Sequence, residues 1–131
     1  MDTLKFDLVT PEAMFFSGAV SQVDIPGTCG DFGVLPGHMA LISTMKMGVV
    51  KVYAGKDVVK TLFVAGGVAE VNAQSCTILA ERAYDLGQVV RADVEKSLAK
   101  ARDALEKAVE YGTKADAARE VEMTQALIAS L

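Results

Sequence analysis

The 131 residues, 51% hydrophobic and 23% charged, carry 13 Lys and Arg against 17 Asp and Glu, a formal net charge of −4 at pH 7. That composition excludes disorder over most of the length, and at this size folding hides about 68% of the surface of the unfolded chain, so a core can form without staples. No apolar run approaches the roughly 20 residues of a bilayer-crossing helix, and the acidic balance offers no basic stripe for a nucleic-acid backbone, so neither a membrane span nor a nucleic-acid partner is expected.

The chain start, Met1-Asp2-Thr3-Leu4-Lys5, lacks the apolar region of a secretory leader and the Arg- and Ser-rich helix of a transit peptide. The protein is therefore expected to stay in the reducing compartment where it is made. Residues 4–10 and 20–25 alternate apolar and polar with a period of two, and each run ends in a proline turn, at Pro11 and Pro26. Gly27, Gly30, Gly33 and Gly37 then crowd a short stretch. It lacks the closing Gly-Lys-Ser/Thr of a phosphate cradle and leads into Leu41-Ile42-Ser43, not into a helix. The pattern reads as linked tight turns, with glycine supplying positive φ and Pro36 fixing its neighbour. Asp31, Phe32 and Val34 carried on so rigid a loop suit a docking surface.

His38, the single histidine, has no nucleophile pattern beside it and reads as a group that ties the loop by hydrogen bonds. With Cys29 and Cys76 it makes at most three scattered zinc ligands, so no metal and no other cofactor is expected.

Residues 48–53 and 58–64 are further strand-like runs joined through Ala54-Gly55-Lys56-Asp57, a hairpin connection. Residues 67–71 and 76–80 flank the turn signal Asn72-Ala73-Gln74-Ser75, with Gly66-Gly67 joining two strands and Glu70 at a solvated outer position. Short strands with closely spaced turns predict an antiparallel β-sandwich or flattened barrel. Composition changes at Gly87: all three prolines and ten of the eleven glycines lie at or before it. The expected division is a β-sandwich domain over 1–86 and a helical hairpin over 87–131, an α+β fold.

Beyond the boundary Val94, Leu98, Ala101, Leu105 and Ala108 step at helical spacing, with Asp93 as cap or first-turn acid and Gly112 as a terminator after Tyr111. A second helix is expected over 115–130, its inner face formed by Ala117, Val121, Thr124, Ile128 and Leu131. Both stripes are rich in alanine, so they bury little area and the two-helix antiparallel hairpin is marginal in isolation. Its charges, including Asp103 and Lys107, read as a solvated face.

The ordered set Phe16-Ser17-Gly18, Val23, Pro26-Gly27, Gly30-Asp31-Phe32-Gly33-Val34-Leu35-Pro36-Gly37-His38 and Gly66-Gly67-Val68-Ala69-Glu70-Val71, followed by a helical hairpin, resembles the epsilon subunit of bacterial F-type ATP synthases, relative of the mitochondrial delta subunit. The resemblance covers the whole length. It implies a non-catalytic rotor subunit whose sandwich binds the gamma subunit and the c-ring, coupling proton flow to ATP synthesis at the cytoplasmic face of the bacterial inner membrane. Membrane association would come only through the complex. Ring contacts of the family lie in the glycine loop, which carries the role to Asp31 and His38, with Phe32 beside them.

In some relatives the hairpin restrains ATP hydrolysis, meeting the beta subunit, or binds ATP through Ile/Leu-Asp-x-x-Arg-Ala. Here the matching stretch is Ala92-Asp93-Val94-Glu95-Lys96-Ser97. Asp93 is kept, Lys96 lacks the planar fork of an arginine, and Arg102 follows later on the helix, so the motif is degraded and no nucleotide binding is expected. Two other readings stand beside the resemblance: a small-molecule binder with Cys29, Asp31 and His38 lining a pocket, and an interaction adaptor unrelated to the synthase.

Overall fold

The computed structural model describes residues 3–131, apart from the side chain of Tyr111; Met1 and Asp2, where the expectation about the chain start begins, lie outside them. Strict alternation makes β1 (Leu4–Val9): Leu4, Phe6 and Leu8 point inward and are buried, while Lys5 and Asp7 face out. Seven further strands follow, β2 (Met14–Val20), β3 (Gln22–Ile25), β4 (Phe32–Val34), β5 (Leu41–Ala54), β6 (Asp57–Val71), β7 (Ser75–Ala80) and β8 (Ala83–Asp85). Two helices close the chain, α1 (Arg91–Lys107) and α2 (Tyr111–Ser130).

Strand order is β2-β1-β7-β6-β5-β3-β4, with β8 also pairing β6. Pairing is antiparallel except between β1 and β7, which run parallel. β5 and β6 are the long members, 14 and 15 residues, joined by the expected hairpin, in which Ala54 pairs Asp57 and Gly55 takes φ +66°. The two ends of β6 have different neighbours: Gly67 to Val71 pair with β7, and Leu62 to Val64 with β8. β3 joins the far end of β5, at Lys51 to Tyr53. The long pair therefore serves two layers, and Phe6, Leu8 and Ile78 from one meet Val23, Ile25, Val50 and Leu62 from the other in a single core.

Several expectations are revised. The runs on either side of Gly66-Gly67 are one strand bent at the double glycine, where both residues have positive φ, +101° and +138°. The run over 20–25 is broken at Ser21, whose N–H turns to the Tyr53 carbonyl, and β2 and β8 carry no clear alternation in the sequence.

The chain divides into two compact units, the first ending at Gly87 and the second running from Gln88 to Leu131. Within the second, α1 packs on α2 and buries Val94, Leu98 and Ala101. Val90 is the N-cap residue without a side-chain bond, so Asp93 serves as the first-turn acid. Gly112 does not terminate α1. Extended backbone at Ala108 ends that helix, the Lys114 N–H already bonds the Glu110 carbonyl, and Gly112 lies in the first turn of α2. The buried positions of α2 are Met123, Thr124 and Leu127, with Val121 and Ile128 half-buried and Leu131 exposed, so the inner face is rotated from the expected one. Thr124 is tolerated there because its hydroxyl donates to the Glu120 carbonyl.

Candidate interaction surface on the glycine loop

The loop between β3 and β5 is held at several points. The Pro26 carbonyl accepts the Lys46 N–H, the Thr28 N–H donates to the Thr44 carbonyl, and the two threonine hydroxyls meet at 2.8 Å. A tight turn follows, closed by Gly30 N–H on the Gly27 carbonyl at 3.1 Å, with Gly30 at φ +134°. A Cβ on Gly27 would lie 2.6 Å from the Gly30 carbonyl oxygen, so that glycine is required by close approach. β4 then runs back along β3, and Leu35-Pro36-Gly37-His38 makes a second turn with Gly37 at φ +89° and the His38 N–H on the Leu35 carbonyl. Proline second and positive-φ glycine third are the demands of a type II turn. The Gly37 N–H reaches the Ala73 carbonyl at 2.9 Å, tying the loop to the β6–β7 turn.

On this frame the Asp31 side chain is 74% exposed and faces Lys46 at 3.2 Å. Phe32 is half-buried against the core, and its ring centroid lies 6.5 Å from that of His38. His38 Nδ1–H donates to the Met39 carbonyl at 2.7 Å, which sets the tautomer and leaves Nε2 as the ring's other polar atom. Phe32 and His38 are thus in ring contact, while the Asp31 carboxylate pairs with Lys46.

Asp31 and Phe32 line an open groove of about 470 Å³ with Asp24, Pro26, Lys46 and Lys51. His38 and Cys29 do not line it, so the three residues of the small-molecule reading are not gathered around one cavity. Asp24 is held by Gln22 Nε2 at 2.7 Å and the Tyr53 hydroxyl at 2.8 Å. The bond to Asp24 pushes the Tyr53 hydroxyl above its ordinary pKa, with desolvation adding to it. Neither Lys46 nor Tyr53 was legible as part of this surface, because both arrive from β5 through strand register. A further feature is apolar. Leu35, Met39 and Ile42 are 53%, 82% and 72% exposed, an unusual density of solvent-facing apolar groups beside one loop.

Asp93, Lys96 and Arg102 all stand on exposed positions of α1. Asp93 and Lys96 are one turn apart, whereas helical geometry sets Arg102 about 13 Å further along the axis and on the opposite side from Asp93. The three are not brought into one cluster. Among the described residues no group of three or more His, Cys, Asp and Glu is placed to hold a metal, and no helix is long and apolar enough to cross a membrane.

Residues 3–85 match the family described as ATP synthase, Delta/Epsilon chain, beta-sandwich domain. The chain is 43% identical over 129 residues to the ATP synthase epsilon chain of Rhodospirillum rubrum, covering 98% of this chain and 96% of that one. It is 36% identical over 130 residues to the epsilon chain of Paramagnetospirillum magneticum, 99% and 98% of the two chains. Among solved structures, a chain of the Euglena gracilis mitochondrial ATP synthase, in a structure of its OSCP, F1 and c-ring, superposes with a TM-score of 0.78 at 20% identity, over 97% of this chain and 80% of that one. A chain of the Tetrahymena thermophila mitochondrial ATP synthase central stalk and c-ring gives 0.61 at 17%, over 98% and 96%. These two establish likeness of fold. With a family match over the whole sandwich and near full-length identity to epsilon chains, the chain belongs to the ATP synthase delta/epsilon family.

Proposed function

We propose that this chain is the non-catalytic rotor subunit of an F-type proton-translocating ATP synthase, linking the gamma subunit to the c-ring so that proton flow drives ATP synthesis. The observation that carries the reading is the near full-length identity to epsilon chains, and the rigid loop supplies its physical logic. A part that transmits torque must keep its contact groups from yielding, and the loop is anchored to Thr44, Lys46 and Ala73 through its backbone. Family placement sets aside an adaptor unrelated to the synthase.

Asp31, Phe32 and His38 are the residues proposed to meet the c-ring. The Asp31–Lys46 pair is solvent-exposed on both sides, and such pairs contribute about 1 kcal/mol at most. A basic group on a partner can therefore take the Asp31 carboxylate at little cost. His38 offers Nε2 on the same loop, and the neighbouring Leu35, Met39 and Ile42 supply apolar area that water does not favour. Electrostatic pairing of this kind sets register between partners more than raw affinity. The subunit would then sit peripherally at the cytoplasmic face of the inner membrane, held there by the complex. The hairpin would meet the beta subunit if it restrains hydrolysis.

The test is replacement of Asp31 and His38 together in cells making the complex. The double variant is expected to co-purify with gamma while losing ring attachment and proton-coupled synthesis. Wild-type coupling in that variant refutes the assigned contact, and failure of the unaltered chain to co-purify with gamma refutes the rotor reading. ATPase measured on enzyme whose chain is truncated after Gly87 tests regulation separately: a rise in hydrolysis supports a restraining hairpin, and no change removes it.

A further inference from the structure

β2 stands at the end of the strand order and pairs on one side only, with β1: Leu4 faces Val20, Lys5 faces Ala19, Phe6 faces Gly18, Asp7 faces Ser17 and Leu8 faces Phe16. One bond fixes the direction of the main-chain groups along this pair. The Lys5 N–H donates to the Gln74 carbonyl at 2.9 Å, so Lys5 and Asp7 turn their main-chain groups to β7, and Leu4, Phe6 and Leu8 turn theirs to β2. On β2 the residues opposite those three, Phe16, Gly18 and Val20, are the ones bonded to β1. Ser17 and Ala19 therefore point both N–H and C=O outward from the free edge, and both residues are exposed. Such an edge is a template for another strand, and folded chains commonly blunt it with charge, proline or shortness. β4, at the other end of the strand order, is blunted, with three residues between Asp31 and the turn at Leu35-Pro36. Met14–Val20 has seven residues with neither charge nor proline, and its protection is the bulge at Phe15.

We propose that this edge pairs with its own counterpart on a second copy of the chain, β2 against β2 in antiparallel order about a two-fold axis at Gly18. With Gly18 opposite Gly18, Ser17 of each copy faces Ala19 of the other, so the residues with free main-chain groups meet and each such pair exchanges both N–H···O=C bonds. An axis at Ser17 would instead set Ala19 against the bulged Phe15 and forfeit the bonds of Ala19. The outward side chains agree with the Gly18 register. One row then runs through Asp7 and Ser17 of one copy into Ala19 and Lys5 of the second copy, and the neighbouring row repeats it in reverse. Each row holds one acid and one base with two small side chains between them, so like charges, which oppose strand pairing, never share a row. Lys5 already leans along this face, where its Nζ donates to Ser17 Oγ at 2.9 Å and lies 3.8 Å from Asp7. The pairing belongs to the free chain and uses neither the glycine loop nor the partners proposed for it.

Sedimentation equilibrium of the full chain over a concentration series tests it, with exchange of single amides reporting the place of contact. The apparent mass should rise from that of one chain toward that of two by about 0.5 mM, the range of a weak, small interface. Over the same series the Ser17 and Ala19 amides should exchange about tenfold more slowly, while Phe16 and Gly18, already bonded to β1, change by less than about twofold. Ala19→Pro deletes an outward donor and none of the bonds to β1, and should abolish the rise in mass. Ala19→Glu sets a carboxylate opposite its own Lys5 and in the row of Asp7 of the second copy, and should abolish it too. It carries the comparison should the proline variant fail to fold, and protection of the buried Cys76 thiol from a disulfide reagent shows which variants are folded. A rise in mass that persists in either folded variant overturns the proposal, since the contact then lies on another surface. A single-chain mass maintained at about 0.5 mM overturns it as well, and so does association that leaves Ser17 and Ala19 exchanging at their original rates.

Discussion

Gly67 is the position where one methyl group should do the most damage. A Cβ built there lies 2.2 Å from the Leu79 carbonyl oxygen and 2.9 Å from the Ala80 Cα, both main-chain atoms of β7, and the backbone sits at φ +138°. No side chain can rotate away, so relief requires β6 and β7 to separate by about 1 Å along the ladder that pairs Gly67 with Ala80 and Val71 with Cys76. Backbone strain contributes about 1–3 kcal/mol and the opened packing a similar amount, so Gly67→Ala should cost about 2–6 kcal/mol of a domain stability that is typically 5–15 kcal/mol. Gly66 is the internal control. It also has positive φ, but its nearest atom is the Met45 carbonyl oxygen at 3.8 Å, so Gly66→Ala should cost only the strain, about 1–2 kcal/mol. Labelling of the buried Cys76 thiol across a urea series, in a Cys29→Ser background, reports opening of the sandwich without interference from the helices. Equal losses in the two variants, within about 0.5 kcal/mol, would refute the steric reasoning.

Three further outcomes are expected. Gly112→Ala should stabilise the helical unit by about 0.5–1 kcal/mol in thermal unfolding, because Gly112 is helical with open space around its Cα; destabilisation would mean that it caps a helix instead. Burial pushes the Cys76 thiol up to about 12, so a disulfide reagent at pH 8 should titrate one thiol, Cys29, in the native chain and two after denaturation. Asp85 has a folded pKa below its unfolded value, so its contribution is complete at neutral pH and is lost as pH falls below the ordinary carboxylate range; acid unfolding of Asp85→Asn should show a correspondingly shallower pH slope there.

Alternation over residues 4–8 was readable because burial on one face of a strand repeats every second residue whatever the neighbours are. The turn at Pro36-Gly37 was readable for a similar reason, since its φ requirements belong to those two residues alone. β8 could not be seen: three residues carry no period, and they form a strand only because β6 has an unpaired edge at Leu62 to Val64. The start of α2 was misplaced because Gly112 signals helix termination in general, and only the extended backbone at Ala108 and Glu110 shows that α1 had already ended.

At the candidate surface, Asp31, Phe32 and His38 could be named from their rigid loop, but Ile42, Lys46 and Tyr53, which arrive from β5, could not be placed beside it. The amino-acid order alone determined the two-part α+β architecture, the stiff glycine loop and the family, because hydrophobic period, turn chemistry and motif order are local properties of the chain. Tertiary structure alone decided which charges meet, since ion pairs such as Asp31–Lys46 and Lys60–Asp85 depend on strand register, which no short stretch of sequence specifies.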